Sequence, residues 1–331
     1  MVIARALVQA LRDAGHLAEV LVTPQNRFGR QAAAYLATWL TDVGSADDAP
    51  IDQVISLRYP SYAVRHPNHV CWLNHTMREY YDQWDRFSAR LSSRGRVKER
   101  ARRTAIHAAD RYLLTRNVSK LFVQSETIRQ RLRMWPELRA EVLYPPAPQR
   151  AYRCDEFGDY LFVVSRLTPL KRVDLVLEAL AAPEAAGIRC VIGGDGEERP
   201  RLQGMIERLG LSPRVTLVGH VYDDQLLDHL ARCRAVCFPP LAEDYGLVTA
   251  EAFASGKAVI TCRDSGGPAE IVEDGVHGFV CEPSPGALAS AIRTLMEDRG
   301  LAERMGAAAA AAGARMNWTD AVRRLTATAR P

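Results

Sequence analysis

Along nearly its whole length this chain alternates short apolar runs with segments of helical period. Residues 53–57, 69–74, 120–124, 160–164, 188–192, 214–218, 235–238, 258–262 and 277–281 are each four to six residues of mostly apolar chain. Runs of that kind suit strands buried on both faces, which occur where helices cover a parallel sheet. Between them lie helical patterns at 28–42, 76–91, 126 onward, 173–180, 223–231, 247–255 and 286–298. Strands and helices that alternate over much of the chain predict a doubly wound α/β sheet, with ligands bound beyond the carboxyl ends of its strands.

Pro145, Pro146 and Pro148 break the pattern where a linker is expected. This predicts two Rossmann-like domains, residues 1–147 and 148–316, with a last helical pattern at 318–329. The N-terminal half opens unusually. Residues 1–14 form a helical pattern ended by Gly15, and 16–23 then read as a strand. A parallel domain ordinarily opens on a strand, so this one is expected to lack its first.

At 331 residues, 47% hydrophobic and 25% charged, the chain is long enough for two cores. No apolar run approaches the roughly 18 residues of a membrane span, and no basic-then-apolar leader precedes the first helix, so the cytoplasm is the expected address. The seven cysteines lack C-x-x-C spacing and mostly fall in apolar runs, which predicts reduced core thiols and no structural zinc. Residues 1–150 carry 23 Lys and Arg against 14 Asp and Glu, and the remainder 20 against 25. Such asymmetry fits an anionic surface against the basic half or an acidic substrate between the halves.

Chemistry concentrates between Cys237 and Gly256, C-F-P-P-L-A-E-D-Y-G-L-V-T-A-E-A-F-A-S-G. Pro239, Pro240 and Gly246 stop the strand and helix patterns, so Glu243 belongs to a loop and Glu251 to the beginning of a helix that Gly256 ends. A helix N-terminus carries unpaired N–H groups and a partial positive charge, which makes the approach to Gly246 and Leu247 a seat for phosphate. The carboxylates themselves repel phosphate and suit hydroxyl-rich groups attached to it. In isolation, an E-x7-E pair reads as a helix cap and a solvated face. Upstream, Arg166 and Lys171 stand at the end of an apolar strand beside a helix start, where two cations can clamp a diphosphate.

E-D-Y-G-L-V-T-A-E-A-F-A-S-G-K-A-V-I-T followed by S-G-G-P-A-E-I-V-E-D-G-V-H-G-F closely resembles the donor-site signature of glycosyltransferase family 4, over about residues 160–292. The resemblance implies a GT-B fold with two Rossmann-like domains facing across a cleft, and transfer of a hexose from a GDP- or UDP-linked donor with retention of configuration. The acceptor would be a glycan or a lipid-linked sugar, in synthesis of cell-surface polysaccharide or glycoconjugate. It also implies roles. Arg166 and Lys171 clamp the diphosphate, Glu243 contacts the sugar ring, and Glu251 holds the ribose hydroxyls. Gly194, Val221 and Phe238 surround the base. His75, directly after V-C-W-L-N, contacts the donor sugar, although a histidine at a strand end is ordinarily a structural cap. Arg78 and Tyr81 line the acceptor side, and residues 317–331 cross back onto the first domain. No D-x-D is positioned to bind a metal, so transfer without a metal or other cofactor is expected.

Residues 94–116 carry eight Lys and Arg, with Val97, Ala101, Ala105, Ala108 and Tyr112 at helical spacing and few aromatics, which argues against nucleic acid and leaves a solvated basic face or peripheral contact with anionic lipid. Two rival readings accompany the main one: another GT-B enzyme such as an epimerase or phosphorylase, and an N-terminally truncated, non-catalytic nucleotide-sugar-binding protein.

Overall fold

The structure, a computed structural model, describes residues 2–23, 30–46 and 49–327. The chain forms two compact units: one runs to Tyr144 and takes in the chain from Trp318, and the other is Pro145–Asn317.

The first unit contains α1 (Val2–Asp13), α2 (Gln31–Trp39), β1 (Val54–Ser56), β2 (His69–Leu73), α3 (Ser93–Arg116), β3 (Lys120–Val123), α4 (Glu126–Leu132) and β4 (Ala140–Val142). Among the described residues its main sheet has four strands in the order β1-β2-β3-β4, all parallel, and Ser45–Ala46 pairs separately with Ala49–Pro50 in antiparallel fashion. Every residue of β2 is buried, as expected of a strand covered on both faces. Ser92 caps α3 by accepting a hydrogen bond from the Gly95 amide at 3.2 Å. Trp318–Thr326 packs its Ala321, Val322 and Leu325 against Leu7, Ala10 and Leu11 of α1, and Trp318 meets Trp72 edge to face at 6.1 Å.

Two expectations for this unit fail. Residues 16–23 form no strand: Leu17 is fully exposed, Leu21 and Val22 mostly so, and β1 is the edge of the sheet. An extended apolar segment becomes a strand only by pairing its N–H and C=O groups, and here no neighbour among the described residues supplies the ladder. The helix expected over 76–91 breaks into a 3₁₀ turn at Arg78–Tyr80 and a short helix at Trp84–Ser88. Tyr81 leaves the helical region, at φ −116° and ψ −109°, because Tyr80 and Tyr81 both direct their hydroxyls to carboxylates of α3. Of the helix expected over 28–42, α2 is the part observed, residues 40–42 lie beyond its end, and residues 28 and 29 lie outside the described residues.

The second unit holds β5 (Tyr160–Val164), α5 (Val173–Ala181), β6 (Arg189–Gly193), α6 (Arg199–Arg208), β7 (Val215–Gly219), α7 (Asp223–Arg232), β8 (Ala235–Cys237), α8 (Leu247–Ala254), β9 (Val259–Cys262), α9 (Gly267–Ile271), β10 (Gly278–Cys281), α10 (Pro285–Glu297) and α11 (Arg299–Arg315). Its six parallel strands lie in the order β10-β9-β8-β5-β6-β7. The chain winds outward from β5 through β6 to β7, then returns to the other side of β5 as β8 and winds the opposite way. The point of reversal falls between β5 and β8.

Candidate functional site

A reversal of winding leaves the loops after two neighbouring strands diverging to opposite faces, which opens a crevice at their carboxyl ends. In the second unit those loops are 165–172 after β5 and 238–246 after β8. Both sequence-predicted cations and both predicted glutamates of this unit lie on these loops or on α8, which follows the second.

The loop after β5 is pressed against the turn after β6. Gly194 has φ +130°, and a Cβ there would fall 1.8 Å from the Ser165 carbonyl oxygen, so only glycine is tolerated. Leu167 donates to the Asp195 carbonyl at 2.9 Å, and Glu198 to the Leu167 carbonyl at 3.0 Å. Val221 packs over the neighbouring Gly193. Arg166 is exposed, and its guanidinium has no partner among the described residues.

Lys171 forms an ion pair with Glu243, and its ammonium lies 5.4 Å from the centre of the Phe238 ring. Glu243 is fixed through its backbone too. Its N–H donates to the Ser265 carbonyl at 2.8 Å, and its own carbonyl accepts from the Gly267 amide at 2.9 Å. The tie between the loops comes from a residue the sequence reading passed over. Arg172 donates to the carbonyls of Pro239 and Pro240, each at 2.7 Å, and to both carboxylate oxygens of Asp264 at 2.6 and 2.7 Å. Arg172 and Ala242 both take positive φ, +49° and +47°. Non-glycine residues adopt that region only where their surroundings over-determine it, and here both flank the Lys171–Glu243 pair.

Gly246 is the N-cap of α8 at φ +79°, where a Cβ would meet Pro268 at 2.7 Å and Phe238 at 2.9 Å. No side chain caps this helix; the Thr249 amide bonds back to the Gly246 carbonyl at 2.9 Å, and the amides of Leu247 and Val248 remain available to an anion. Leu247, the first helical residue, is half-buried. The helix closes with paired hydrogen bonds, Lys257 N–H to the Ala252 carbonyl and Gly256 N–H to the Phe253 carbonyl, both at 2.9 Å.

Glu251 stands in the second turn of α8 and is 5% exposed. Arg150 Nη1 meets its Oε1 at 2.5 Å, the Tyr152 hydroxyl donates to the same oxygen at 3.4 Å, and Arg150 Nη2 reaches Asp223 at 2.9 Å. Burial pushes the Glu251 carboxyl up to about 7, against the pull of Arg150 and Tyr152. Arg150 and Tyr152 were not foreseen, because nothing local in the sequence links them to a residue about a hundred positions on.

The remaining candidates belong to the first unit. His75 follows β2 and is half-buried, with Nδ1 3.1 Å from the Thr76 carbonyl. Arg78 is engaged by Asp82, Nη2 to Oδ2 at 2.6 Å and Nε to Oδ2 at 3.1 Å. Tyr81 turns inward. It is 7% exposed, and its hydroxyl donates to Asp110 Oδ2 at 2.5 Å in the core, where Tyr35 and Tyr62 also donate to that carboxylate. Burial raises the Asp110 carboxyl to about 6, with the three hydroxyls pulling it down. Among the described residues no group of three His, Cys, Asp or Glu is placed to hold a metal ion, and no helix is long and apolar enough to cross a membrane.

Two Rossmann-like parallel-sheet units define the GT-B fold. Sucrose-phosphate synthase from Thermosynechococcus elongatus superimposes with a TM-score of 0.77 over 97% of this chain and 90% of its own, at 17% identity. Residues 150–312 match the family model described as glycosyl transferases group 1. The D-inositol 3-phosphate glycosyltransferase of Streptomyces griseus is 33% identical over 168 residues, 47% of this chain and 35% of that protein. An Anabaena protein solved with UDP and glucose, HepE, superimposes with a TM-score of 0.56 at 23% identity, over 66% of this chain and 65% of its own. The chain covers well under two thirds of the first curated relatives it matches, 16% of one and 35 to 37% of the next two.

Proposed function

We propose that this chain is a glycosyltransferase of family 4 that transfers a hexose from a GDP- or UDP-linked donor to a glycan or lipid-linked acceptor, with retention of configuration. The observation that carries this reading is the meeting of Lys171 and Glu243 beside the uncapped N-terminus of α8, on the loops that diverge at the winding reversal.

In the reaction, the bond from the anomeric carbon to the diphosphate oxygen breaks and a bond to the acceptor oxygen forms. The acceptor proton passes to the departing phosphate. Negative charge grows on the diphosphate, and Arg166, Lys171 and the amides near Gly246 and Leu247 stabilise it, so no metal ion is required. Glu243 accepts from hydroxyls of the hexose and Glu251 from those of the ribose, while Gly194, Val221 and Phe238 bound the base. In the first unit His75 serves the donor sugar and Arg78 the acceptor. The basic N-terminal half of α3, with exposed Arg94, Arg96, Lys98 and Arg100, holds the protein against anionic lipid at the cytoplasmic face of a membrane.

A thermal-shift panel of UDP, GDP and ADP sugars tests the reading. A ligand that binds only the folded chain stabilises it by roughly 2.7 kcal/mol at about a hundred times its dissociation constant. One nucleotide class is expected to raise Tm, and a panel without any shift contradicts the reading. Turnover is expected to persist in EDTA; loss that manganese restores would overturn metal independence.

A further inference from the structure

Arg150 does more than pair with a carboxylate. Its guanidinium spans two acids, Glu251 at 2.5 Å through Nη1 and Asp223, the first residue of α7, at 2.9 Å through Nη2. Asp223 is exposed whereas Glu251 is 5% exposed, so one end of the bridge is anchored in solvent and the other reaches into the unit. Both contacts to Glu251, from Arg150 and from Tyr152, fall on Oε1. Among the described residues Oε2 accepts no hydrogen bond. A carboxylate held this way has one oxygen committed and the other available, in a fixed orientation. Adjacent hydroxyls both need an acceptor, which an ionised carboxylate supplies and a protonated one supplies poorly.

We propose that Arg150 is a positioning residue, which locks Oε1 of Glu251 and favours its ionised form so that Oε2 receives the vicinal hydroxyls of a ribonucleoside diphosphate. The assignment rests on the functional reading above for its ligand but not for its effect on Glu251. The charged and titratable groups facing Glu251 are Arg150 and Tyr152 from the segment preceding β5 and Asp223 from α7. Of these only Arg150 is cationic. Without it, burial and Asp223 both favour the protonated acid, and the carboxyl ionises only at higher pH.

Two measurements test this on Arg150→Gln and Arg150→Lys, each checked for an unchanged circular dichroism spectrum. Carboxyl ¹³C NMR of the ligand-free protein follows Glu251 directly, identified by its loss in Glu251→Gln. Its midpoint is expected to rise in Arg150→Gln and stay near that of the wild type in Arg150→Lys; an unmoved midpoint in Arg150→Gln overturns the assignment whatever the chain binds. Calorimetric titration with UDP and GDP from about pH 6 to about pH 9 follows the consequence. Near neutral pH, Arg150→Gln is expected to bind roughly tenfold or more weakly, with the deficit shrinking as pH rises, since one pKa unit corresponds to a factor of ten. A deficit equal at every pH, or none, contradicts the proposal. If Glu251 titrates as expected but neither diphosphate binds the wild-type protein, the ribose role falls together with the functional reading while the electrostatic role of Arg150 stands.

Discussion

The two units share one scaffold and differ in where they place buried charge. In Pro145–Asn317 three ion pairs gather at the carboxyl ends of strands or on the helix that follows, Lys171 with Glu243, Arg172 with Asp264 and Arg150 with Glu251, while Arg214, Arg234 and the fully buried Lys257 tie down backbone carbonyls at the amino ends of strands. In the first unit the most deeply buried carboxylate, Asp110, lies inside the core under three tyrosine hydroxyls. Charge at strand ends stays within reach of a ligand. Charge sealed in a core can only organise its neighbours. On the proposed reading the strand-end pairs of the second unit serve chemistry and Asp110 serves architecture, and substitutions should separate the two.

The largest effects belong to the strand-end ions. Lys171→Ala and Glu243→Ala should each lower kcat/KM for the nucleotide sugar about a hundredfold to a thousandfold, roughly 3 to 4 kcal/mol of transition-state stabilisation, with Tm nearly unchanged. Near-normal turnover in either variant removes the contrast. The mirror-image result is expected of Asp110→Ala, which orphans three buried phenols and should cost about 3 kcal/mol of stability in denaturant titration, lowering activity only through the unfolded fraction.

The Asp110 carboxyl also carries a pH signature. Its folded pKa, about 6, lies above the ordinary 3.8, so the folded state binds this proton more tightly than the unfolded state. Stability relative to Asp110→Asn should accordingly rise as pH falls from about 6 toward about 4, and a flat or opposite difference would show that the carboxyl is not desolvated. A smaller effect is expected of Tyr81→Phe, which removes one donor to Asp110: about 1 kcal/mol of stability and no change in acceptor KM. A large rise in acceptor KM would return Tyr81 to the substrate. Smallest for the fold is reversal of Arg94, Arg96 and Arg100 to Glu, within about 0.5 kcal/mol because these side chains are exposed. Sedimentation with anionic vesicles should nevertheless fall, and equal recovery of wild type and variant would end the membrane reading.

The parallel sheets were legible because strands covered on both faces are written as continuous apolar runs, and β5 to β10 fall within a residue or two of where those runs lie. Legibility failed where partners outweighed pattern. Residues 16–23 have a strand's composition without a neighbouring strand among the described residues. Residues 76–91 have helical spacing, but Tyr80 and Tyr81 answer to Glu99 and Asp110 of α3. In the site, Glu243, Lys171 and Gly246 could be named because loop breakers and a helix start bracket them. Arg172 and Arg150 could not, since their value lies in contacts 67 to 101 positions away in sequence. The Pro239–Pro240 kink is the nearest signal: carbonyls followed by prolines, which lack an N–H, mark a loop that a side-chain donor must tie down.

A crystal structure with UDP or GDP bound tests the central claim most directly. The account predicts that the diphosphate lies between the Arg166 and Lys171 side chains and the first-turn amides of α8, with the Lys171–Glu243 pair opened to admit it. A diphosphate bound away from all three, with that pair intact, would contradict it.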